Sequence, residues 1–546
     1  MRRITTATLC VLLAVSVLTG PAALAGRVSD EISQVDQEAG SRVGEVEALL
    51  TPVETITSSI PENPQEALID VTAGLSADLG FPQDPTAAVR LAQLPDEVAG
   101  RLANVLSVMR DCNAITQAHY AAIEPNLEQV AIDGGGLDPA AFADVRDCAL
   151  RLWTVTNEME LTLAETRSHP IVFGCIPTPH DEPKPPALQD EVQGALRTVG
   201  SLDVWPVVRF DGFCDSNTYW NDYLLTVDLG GGDTYANNAG SNMVDFNYAP
   251  LSSTVPGVRG FGPARGCQQA IAGLLQGDCT PAVAVVVDLR GYDDYGVLQS
   301  PDLDARCTPP TTQLIRRMVT GAVGFLGVGI VRDLGDGDDN YTSKTVSLGA
   351  GHIFGVGILS DEGGNDSYLS VRNSQGFALV GGVGILADQA GNDTYDFYMP
   401  PPIISQPGNQ MDGVGGVLDD ESRQSGGIDF AGQCDNRPRF TQGTGNVSPA
   451  SIGILVDFAG SDSYRGAFGQ FTAPGQLPPE AGGNVAGSMG FGANGGAGIF
   501  LDLGSTFDTY TTVAPAGTAP LRSNNQVLTP GSTPTGSSGV GLFVDR

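Results

Sequence analysis

The segment GVGILSDEGGNDSY at residues 355–368 is followed, 27 residues further on, by GVGILADQAGNDTY at residues 382–395. Related segments end at Tyr235, Tyr295, Tyr341, Tyr464 and Tyr510. Each joins a stretch in which bulky and small residues alternate to a turn similar to D-x-x-G-x-D-x-Y, which predicts a short β-strand ending in a tight turn. A single such unit buries no core, whereas units stacked on one another do. The repeats therefore predict a stacked architecture.

The fold class predicted from these repeats is mainly β. Residues 201–546 are expected to form a parallel β-helix, or β-solenoid, with coils of about 27 residues or longer, and with insertions that loop out of some coils. Residues 26–168 instead show helical periodicity and predict an α-helical N-terminal domain. Residues 169–200 are rich in proline and predict a linker between these two domains.

Residues 1–25 have the pattern of an export signal peptide. Two arginines precede an apolar stretch, and a small-x-small cleavage pattern ends at Ala25. No later segment reaches the roughly 18 consecutive apolar residues of a membrane span. We therefore expect a secreted, extracellular protein with no transmembrane segment in the mature chain.

The cysteines agree with export. The chain has 9 cysteines, one of them inside the signal segment, and the even number that follows predicts disulfides. Close C-x-x-C pairs are absent, which makes zinc the weaker interpretation. Cys112 and Cys148 each lie on the apolar face of a predicted helix, so a Cys112–Cys148 bridge is the preferred pairing.

The helical region carries apolar stripes. From Val28 to Leu50 apolar residues recur at spacings of three and four, which predicts one helix of about six turns. Such stripes predict the core of a helical bundle, and a groove that binds a partner is the alternative interpretation.

The charge of the chain restricts its partners. Lys and Arg number 28 against 63 Asp and Glu, for a formal net charge of −35. Nucleic acid is excluded as an expected partner because its phosphates require a basic surface. Cations remain as natural partners.

Glycine recurs four residues before the first Asp of each later repeat, as at Gly357, Gly384 and Gly453. Because glycine weakens a strand, its recurrence in register predicts that something approaches the backbone closely on that face. Packing against another sheet or the helical domain is one interpretation, and a flat ligand-binding face is the other.

Stacking the repeats places equivalent Asp side chains about 4.8 Å apart. Two carboxylates at that separation repel each other by about 3.5 kcal/mol at an effective dielectric constant of about 20. Calcium ions would offset this repulsion, and so would hydrogen bonds from the turn backbone. The candidate metal ligands are the first and second Asp of four repeats: Asp333, Asp338, Asp361, Asp366, Asp388, Asp393, Asp457 and Asp462.

The turns GGNDSY, residues 363–368, and AGNDTY, residues 390–395, resemble the haemolysin-type (RTX) calcium-binding repeat G-G-x-G-x-D-x-U-x. This resemblance implies a secreted parallel β-roll that binds calcium, with Asp366, Asp393 and Asp462 at the metal-binding position. The RTX pattern repeats about every nine residues, whereas here one such turn occurs in each much longer coil.

The repeated tyrosines predict either stacked rings that join neighbouring coils or a platform for sugars. Motifs of common enzyme classes are absent, and the sequence supplies neither a catalytic residue nor a site for an organic cofactor. The predicted function is an extracellular structural or adhesion-like binding protein, calcium-stabilised, whose partner is a polysaccharide or cell-surface component. The alternative is a polysaccharide lyase or glycoside hydrolase with acidic residues in a groove formed by residues 236–280, 296–320 and 396–450.

Overall fold

The structure is a computed structural model, which describes the following residues: 28–51, 53, 55–81, 84–123, 125, 130, 136–167, 201–212, 216–219, 222–235, 237–242, 283–298, 315–316, 321–343, 345–370, 372–397, 439–441, 445–446, 451–467, 489–490, 492, 495–504, 507–513, 524–528 and 540–546. The predicted signal peptide, residues 1–25, and most of the predicted linker and groove segments lie outside this set.

Helices precede the first strand. The α-helices are α1 (Val28–Val35), α2 (Gln37–Gly44), α3 (Pro64–Asp78), α4 (Ala87–Leu91), α5 (Asp96–Ile123) and α6 (Ala143–Arg167), with short 3-10 helices at Glu47–Leu49 and Pro139–Phe142. Within the described part of the chain, no helix is both long and apolar enough to cross a membrane.

The single helix predicted from Val28 to Leu50 is wrong. The chain breaks after Val35, where the Asp36 side chain accepts a hydrogen bond from the N–H of Ala39 at 2.9 Å and caps the N-terminus of α2. An Asp at this position competes with the helix backbone for its own hydrogen bonds. The apolar stripe is still buried on both pieces.

The remainder of the described chain is mainly β. Its strands are β1 (Ser201–Val204), β2 (Val208–Asp211), β3 (Thr218–Tyr219), β4 (Leu225–Asp228), β5 (Thr234–Tyr235), β6 (Ala284–Asp288), β7 (Asp294–Tyr295), β8 (Val297–Leu298), β9 (Ile315–Arg316), β10 (Val323–Phe325), β11 (Val328–Asp333), β12 (Asn340–Thr342), β13 (Thr345–Ser347), β14 (Ala350–His352), β15 (Val356–Asp361), β16 (Ser367–Ser370), β17 (Arg372–Ser374), β18 (Ala378–Leu379), β19 (Val383–Asp388), β20 (Thr394–Phe397), β21 (Arg439–Thr441), β22 (Gly445–Asn446), β23 (Ile452–Asp457), β24 (Ser463–Ala467), β25 (Ala497–Asp502), β26 (Thr509–Val513), β27 (Val527–Leu528) and β28 (Val540–Asp545).

Two large sheets organise these strands. The long sheet has 11 strands in the order β1-β2-β4-β6-β11-β15-β19-β23-β25-β28-β27, and the tyrosine sheet has 8, in the order β26-β24-β20-β16-β12-β7-β5-β3. Within both sheets the pairing is parallel, apart from the antiparallel end pairs β1–β2 and β27–β28 of the long sheet. The predicted mainly β class with parallel strands and an N-terminal helical region is confirmed.

The repeats pair in register. Asp361 lies opposite Asp388, which lies opposite Asp457, and Tyr368 lies opposite Tyr395. Neighbouring members of one sheet therefore come from successive repeats. Between β15 and β19 the chain visits the tyrosine sheet, a 3-stranded sheet (β13-β17-β21) and a 4-stranded sheet (β10-β14-β18-β22) before it returns to the long sheet.

The glycine face of the long sheet packs against backbone. A Cβ atom at Gly357 would overlap the carbonyl oxygen of Ala350, and one at Gly384 would overlap that of Phe377. Both carbonyl groups lie in or next to strands of the 4-stranded sheet. At these positions glycine therefore allows two sheets to approach closely, which supports the sheet-packing interpretation over a ligand-binding face.

The helical region contacts the long sheet. Arg332 of β11 is buried, donates to Glu160 Oε2 at 2.6 Å, and lies 4.4 Å from the centre of the Trp153 ring. Phe142 and Phe354 stack with their ring centres 3.9 Å apart. Within the helical region, Cys112 and Cys148 form a disulfide with Cα atoms 5.6 Å apart, as predicted. The other cysteines lie outside the described residues.

Candidate functional site: a buried aspartate column

The first Asp of each repeat closes the strand of the long sheet. In seven copies its Oδ1 accepts a hydrogen bond from the backbone N–H two residues later, as Asp361 does from Gly363 at 2.8 Å. This contact is the local turn that Asp favours. The side chain is buried in every one of these copies.

The repeated tyrosines donate to the same carboxyl groups. The Tyr368 hydroxyl donates to Asp388 Oδ2 at 2.8 Å, and the Tyr341 hydroxyl oxygen lies 3.1 Å from Asp333 Oδ2 and 2.6 Å from Asp361 Oδ2. Their rings form one stack from Tyr219 to Tyr510, with centres 4.5 to 5.1 Å apart. Because these rings are buried in the stack, the interpretation as joined coils is supported over a sugar platform.

The second Asp of each repeat connects neighbouring copies. Its Oδ1 accepts the backbone N–H of the equivalent Asp in the preceding copy, as Asp366 does from Asp339 at 2.6 Å and Asp393 does from Asp366 at 2.7 Å. The series continues to Asp508, whose own N–H donates to Asn524 Oδ1 at 2.6 Å. These hydrogen bonds are the backbone caps that the sequence offered as the alternative to calcium.

The caps satisfy only one oxygen of each second Asp. The other oxygen, Oδ2, is buried without a hydrogen-bond partner in all seven copies: Asp233, Asp293, Asp339, Asp366, Asp393, Asp462 and Asp508. Ion pairs between described residues do not include any of these seven side chains. A buried polar atom of this kind is costly unless something else compensates it.

The two Asp series converge. Carboxylate oxygens from three residues lie within 4.8 Å of one another in at least five groups: Asp228, Asp233 and Asp288; Asp293, Asp333 and Asp339; Asp339, Asp361 and Asp366; Asp366, Asp388 and Asp393; and Asp393, Asp457 and Asp462. Asp339, Asp366 and Asp393 each belong to two groups and so join four of the groups. The N–H of Asp233 donates to Asp293 Oδ1 at 2.6 Å and connects the first group to them, so the groups form one continuous column. We call this set of residues the aspartate column.

Seven of the eight candidate ligands predicted from the sequence lie in the column, and Asp338 does not. Asp338 is partly exposed and accepts two hydrogen bonds from Asn365, each at 2.8 Å, while its neighbour Asp339 occupies the column. The turn DLGDGDDNY is one residue longer than DEGGNDSY, so counting forward from Asp333 selects the wrong residue. Counting two residues back from Tyr341 selects Asp339, because the tyrosine pairing fixes the register.

The eight candidate ligands also left out four members of the column in its first copies, Asp228, Asp233, Asp288 and Asp293. Asp502 and Asp508 of the last copy, which belong to the two Asp series of the sequence, continue the same hydrogen bonds. Each lies within a recognised D…Y segment, so the same count back from the tyrosine would have found the second Asp of each pair.

Burial disfavours the ionised forms of these side chains. It raises the pKa of Asp361 well above its ordinary value, and the nearby carboxyl groups of Asp366 and Asp333 raise this pKa further. Burial likewise raises the pKa of Asp393 to about 8. The column therefore requires positive charge from outside its own residues, as bound protons or as bound cations.

The donor set is compatible with calcium. Each group supplies carboxylate oxygens, and calcium prefers hard oxygen ligands, including bidentate carboxylates. An oxygen that accepts one hydrogen bond retains a second lone pair, so the caps do not prevent coordination. The unpartnered Oδ2 atoms are the strongest indication that a ligand belongs in the column.

No family model matches the chain, and the searches of curated proteins and of solved structures found no match either. The resemblance of the turns to the haemolysin-type repeat therefore remains a prediction.

Proposed function

We propose that the chain is a secreted extracellular protein whose repeats form a parallel β-solenoid serving as a structural or binding scaffold. The observation that carries this proposal is the use of the repeated residues. The recurring aspartates and tyrosines join one copy to the next, the glycines of the later copies let the long sheet pack against a second sheet, and nearly all of these residues are buried. Repeats of this kind encode an architecture.

Coil closure is supported by the corners of the chain. Leu348 and Gly349 both have positive φ, at 51° and 74°, and the next copy turns at Gln375 and Gly376 with φ of 55° and 77°. The N–H of Gly376 donates to the carbonyl oxygen of Leu348 at 2.9 Å. The same left-handed corner at the same place in successive copies is what a coiled path requires.

The repeats themselves favour a scaffold over an enzyme. A glycosidase or lyase needs carboxyl groups that its substrate can reach, and the carboxyl groups of the aspartate column lie inside the stack. Catalytic residues of the alternative function would have to come from other segments, and the predicted groove segments lie mostly outside the described residues. On this proposal the ligand contacts belong to exposed turn and loop positions.

The test is expression of the full chain, with residues 1–25, in a bacterial host that exports proteins. Cleavage after Ala25, read by mass spectrometry of the medium and periplasm, is expected. The mature protein is then mixed with insoluble cellulose, chitin and cell-wall preparations. Co-sedimentation without release of soluble sugar supports the scaffold, whereas release of reducing or unsaturated sugar products supports the enzyme. Retention of the uncleaved chain in the cytoplasm overturns the extracellular assignment.

A further inference from the structure

The aspartate column has an unusual electrostatic composition. Each middle repeat contributes two buried carboxyl groups, one from each series, as Asp361 and Asp366 do. The donors around them are backbone N–H groups and tyrosine hydroxyls, all of which are neutral. Neutral donors share the charge but do not cancel it, and burying uncompensated carboxylates is strongly unfavourable.

The position of each group suggests where a cation would bind. In the group of Asp339, Asp361 and Asp366, the two second-series residues, Asp339 and Asp366, come from successive repeats. Any ion held there therefore touches both repeats and joins them. Asp366 belongs to the next group as well, so neighbouring positions share one ligand.

The charge and the geometry of the groups fit a divalent ion bound in place of protons. Two carboxylates per repeat are neutralised by one divalent ion per repeat, and the column supplies about one group of three for each junction between repeats. Among divalent ions, magnesium demands a near-ideal octahedron and retains its waters, whereas calcium accepts irregular sets of carboxylates. Zinc prefers nitrogen and sulfur ligands, and the five groups contain neither.

We propose that calcium ions bind between successive repeats in the aspartate column, each held by three aspartates. Four of the five groups supply two second-series aspartates and one first-series aspartate, and the group of Asp228, Asp233 and Asp288 supplies one second-series and two first-series aspartates. The unpartnered Oδ2 atoms of the second series are the ligands that the hydrogen-bonded caps leave free. This inference rests on the stacked architecture of the proposed function, and an extracellular location would supply the calcium.

The direct test is the calcium content of the mature full-length protein. Calcium-depleted protein is dialysed against calcium at neutral pH, and bound metal is measured by atomic emission. Two or more calcium ions per chain are expected, with at least tenfold weaker binding of magnesium. Terbium, which replaces calcium, is expected to luminesce on excitation of tyrosine, because the tyrosine hydroxyls lie against the column.

A pair of matched variants locates the sites. Asp366→Asn retains an oxygen that can accept the N–H of Asp339 and removes the negative charge; the chain itself places an amide at the equivalent position, where Asn524 accepts from Asp508. Asp366 belongs to two groups, so this variant is expected to lose up to two calcium ions. Asp338→Asn changes a partly exposed carboxyl group in the same region and is expected to lose none.

Three results would overturn the proposal. They are fewer than one calcium ion per folded wild-type chain, terbium luminescence that calcium does not displace, and equal losses in Asp338→Asn and Asp366→Asn. If Asp366→Asn does not fold, the wild-type measurements still decide. Calcium binding and polysaccharide binding are measured separately, so failure of the calcium column leaves the test of the scaffold function unaffected.

Discussion

The helical region and the repeat sheets handle buried acids in different ways. In the helical region, buried Glu158 accepts hydrogen bonds from Thr57 and Ser58 and lies 3.6 Å from the guanidinium of Arg101. In the sheets, the buried second-series aspartates have no described basic partner, and each leaves one oxygen without a donor. The first region brings its countercharge within its own sequence, whereas the second depends on a charge from solution. The stability of the repeat sheets should therefore depend on calcium concentration and pH much more strongly than the stability of the helical region does.

Removing calcium is expected to produce the largest separation between the two regions. At a free calcium concentration one hundred times the Kd of a site, binding at that site adds about 2.7 kcal/mol to folding stability. The proposed column has several such sites. Hydrogen exchange of the full-length protein, followed by mass spectrometry, should show that β15, β19 and β23 lose protection on calcium removal. Helices α5 and α6, joined by the Cys112–Cys148 disulfide, should retain theirs. Equal loss in both regions would contradict the comparison.

Alkaline pH should destabilise the calcium-depleted sheets. Burial raises the pKa of Asp366 to about 9 and that of Asp393 to about 8, against about 3.9 in an unfolded chain. A folded-state pKa raised in this way gives stability that is complete below pH about 4 and is lost as the pH rises through 8 to 9. The melting temperature of calcium-depleted protein should therefore fall between pH 5 and pH 9.

Calcium provides the control for this pH series. Metal binding requires deprotonated ligands, so added calcium should raise the melting temperature more at pH 8 than at pH 5. A melting temperature that rises with pH in the depleted protein would show that the column carries no excess of protons.

Breaking the ion pair of the helical region should cost stability independently of calcium. Glu158→Ala leaves Arg101 buried beside Ser58 without its carboxylate, and breaking a buried pair typically costs about 3–5 kcal/mol. Urea unfolding with and without calcium measures this loss, which should be the same in both conditions. Glu97→Ala, on an exposed position of α5, serves as the control and should change stability by less than about 0.5 kcal/mol.

The smallest expected effect comes from a single hydroxyl of the tyrosine stack. Tyr368→Phe keeps the ring between Tyr341 and Tyr395 and removes the donor to Asp388. Loss of one hydrogen bond to a buried carboxyl group costs about 1.5–3 kcal/mol. The exposed Tyr292→Phe should be close to neutral in the same urea measurement. Identical stabilities of the two variants would mean that the tyrosine hydroxyls do not stabilise the stack.

The differences between expectation and structure have physical causes. The apolar stripe from Val28 to Leu50 was correct as a buried face, but Asp36 ends α1 because a capping hydrogen bond competes with helix continuation. Asp338 was assigned to the column by counting from one end of a turn whose length varies. Sequence spacing says which residues are near one another along the chain, and a single extra residue reverses which side chain points inward.

The sequence by itself predicted the strands of the long sheet and their turns, because alternation and turn chemistry are local properties. The repeats predicted the parallel stacking, and the helical spacing favoured the Cys112–Cys148 pairing. Only the tertiary structure decided that Asp339 joins the column, that glycine admits the carbonyl groups of a second sheet, and that one oxygen of each second-series aspartate is left without a donor. The two outcomes that concern aspartates depend on atoms from repeats 27 or more residues apart, as for Asp366 and Asp393, and the glycine outcome depends on two different sheets, as for Gly357 and Ala350. Such atoms meet only in the folded chain.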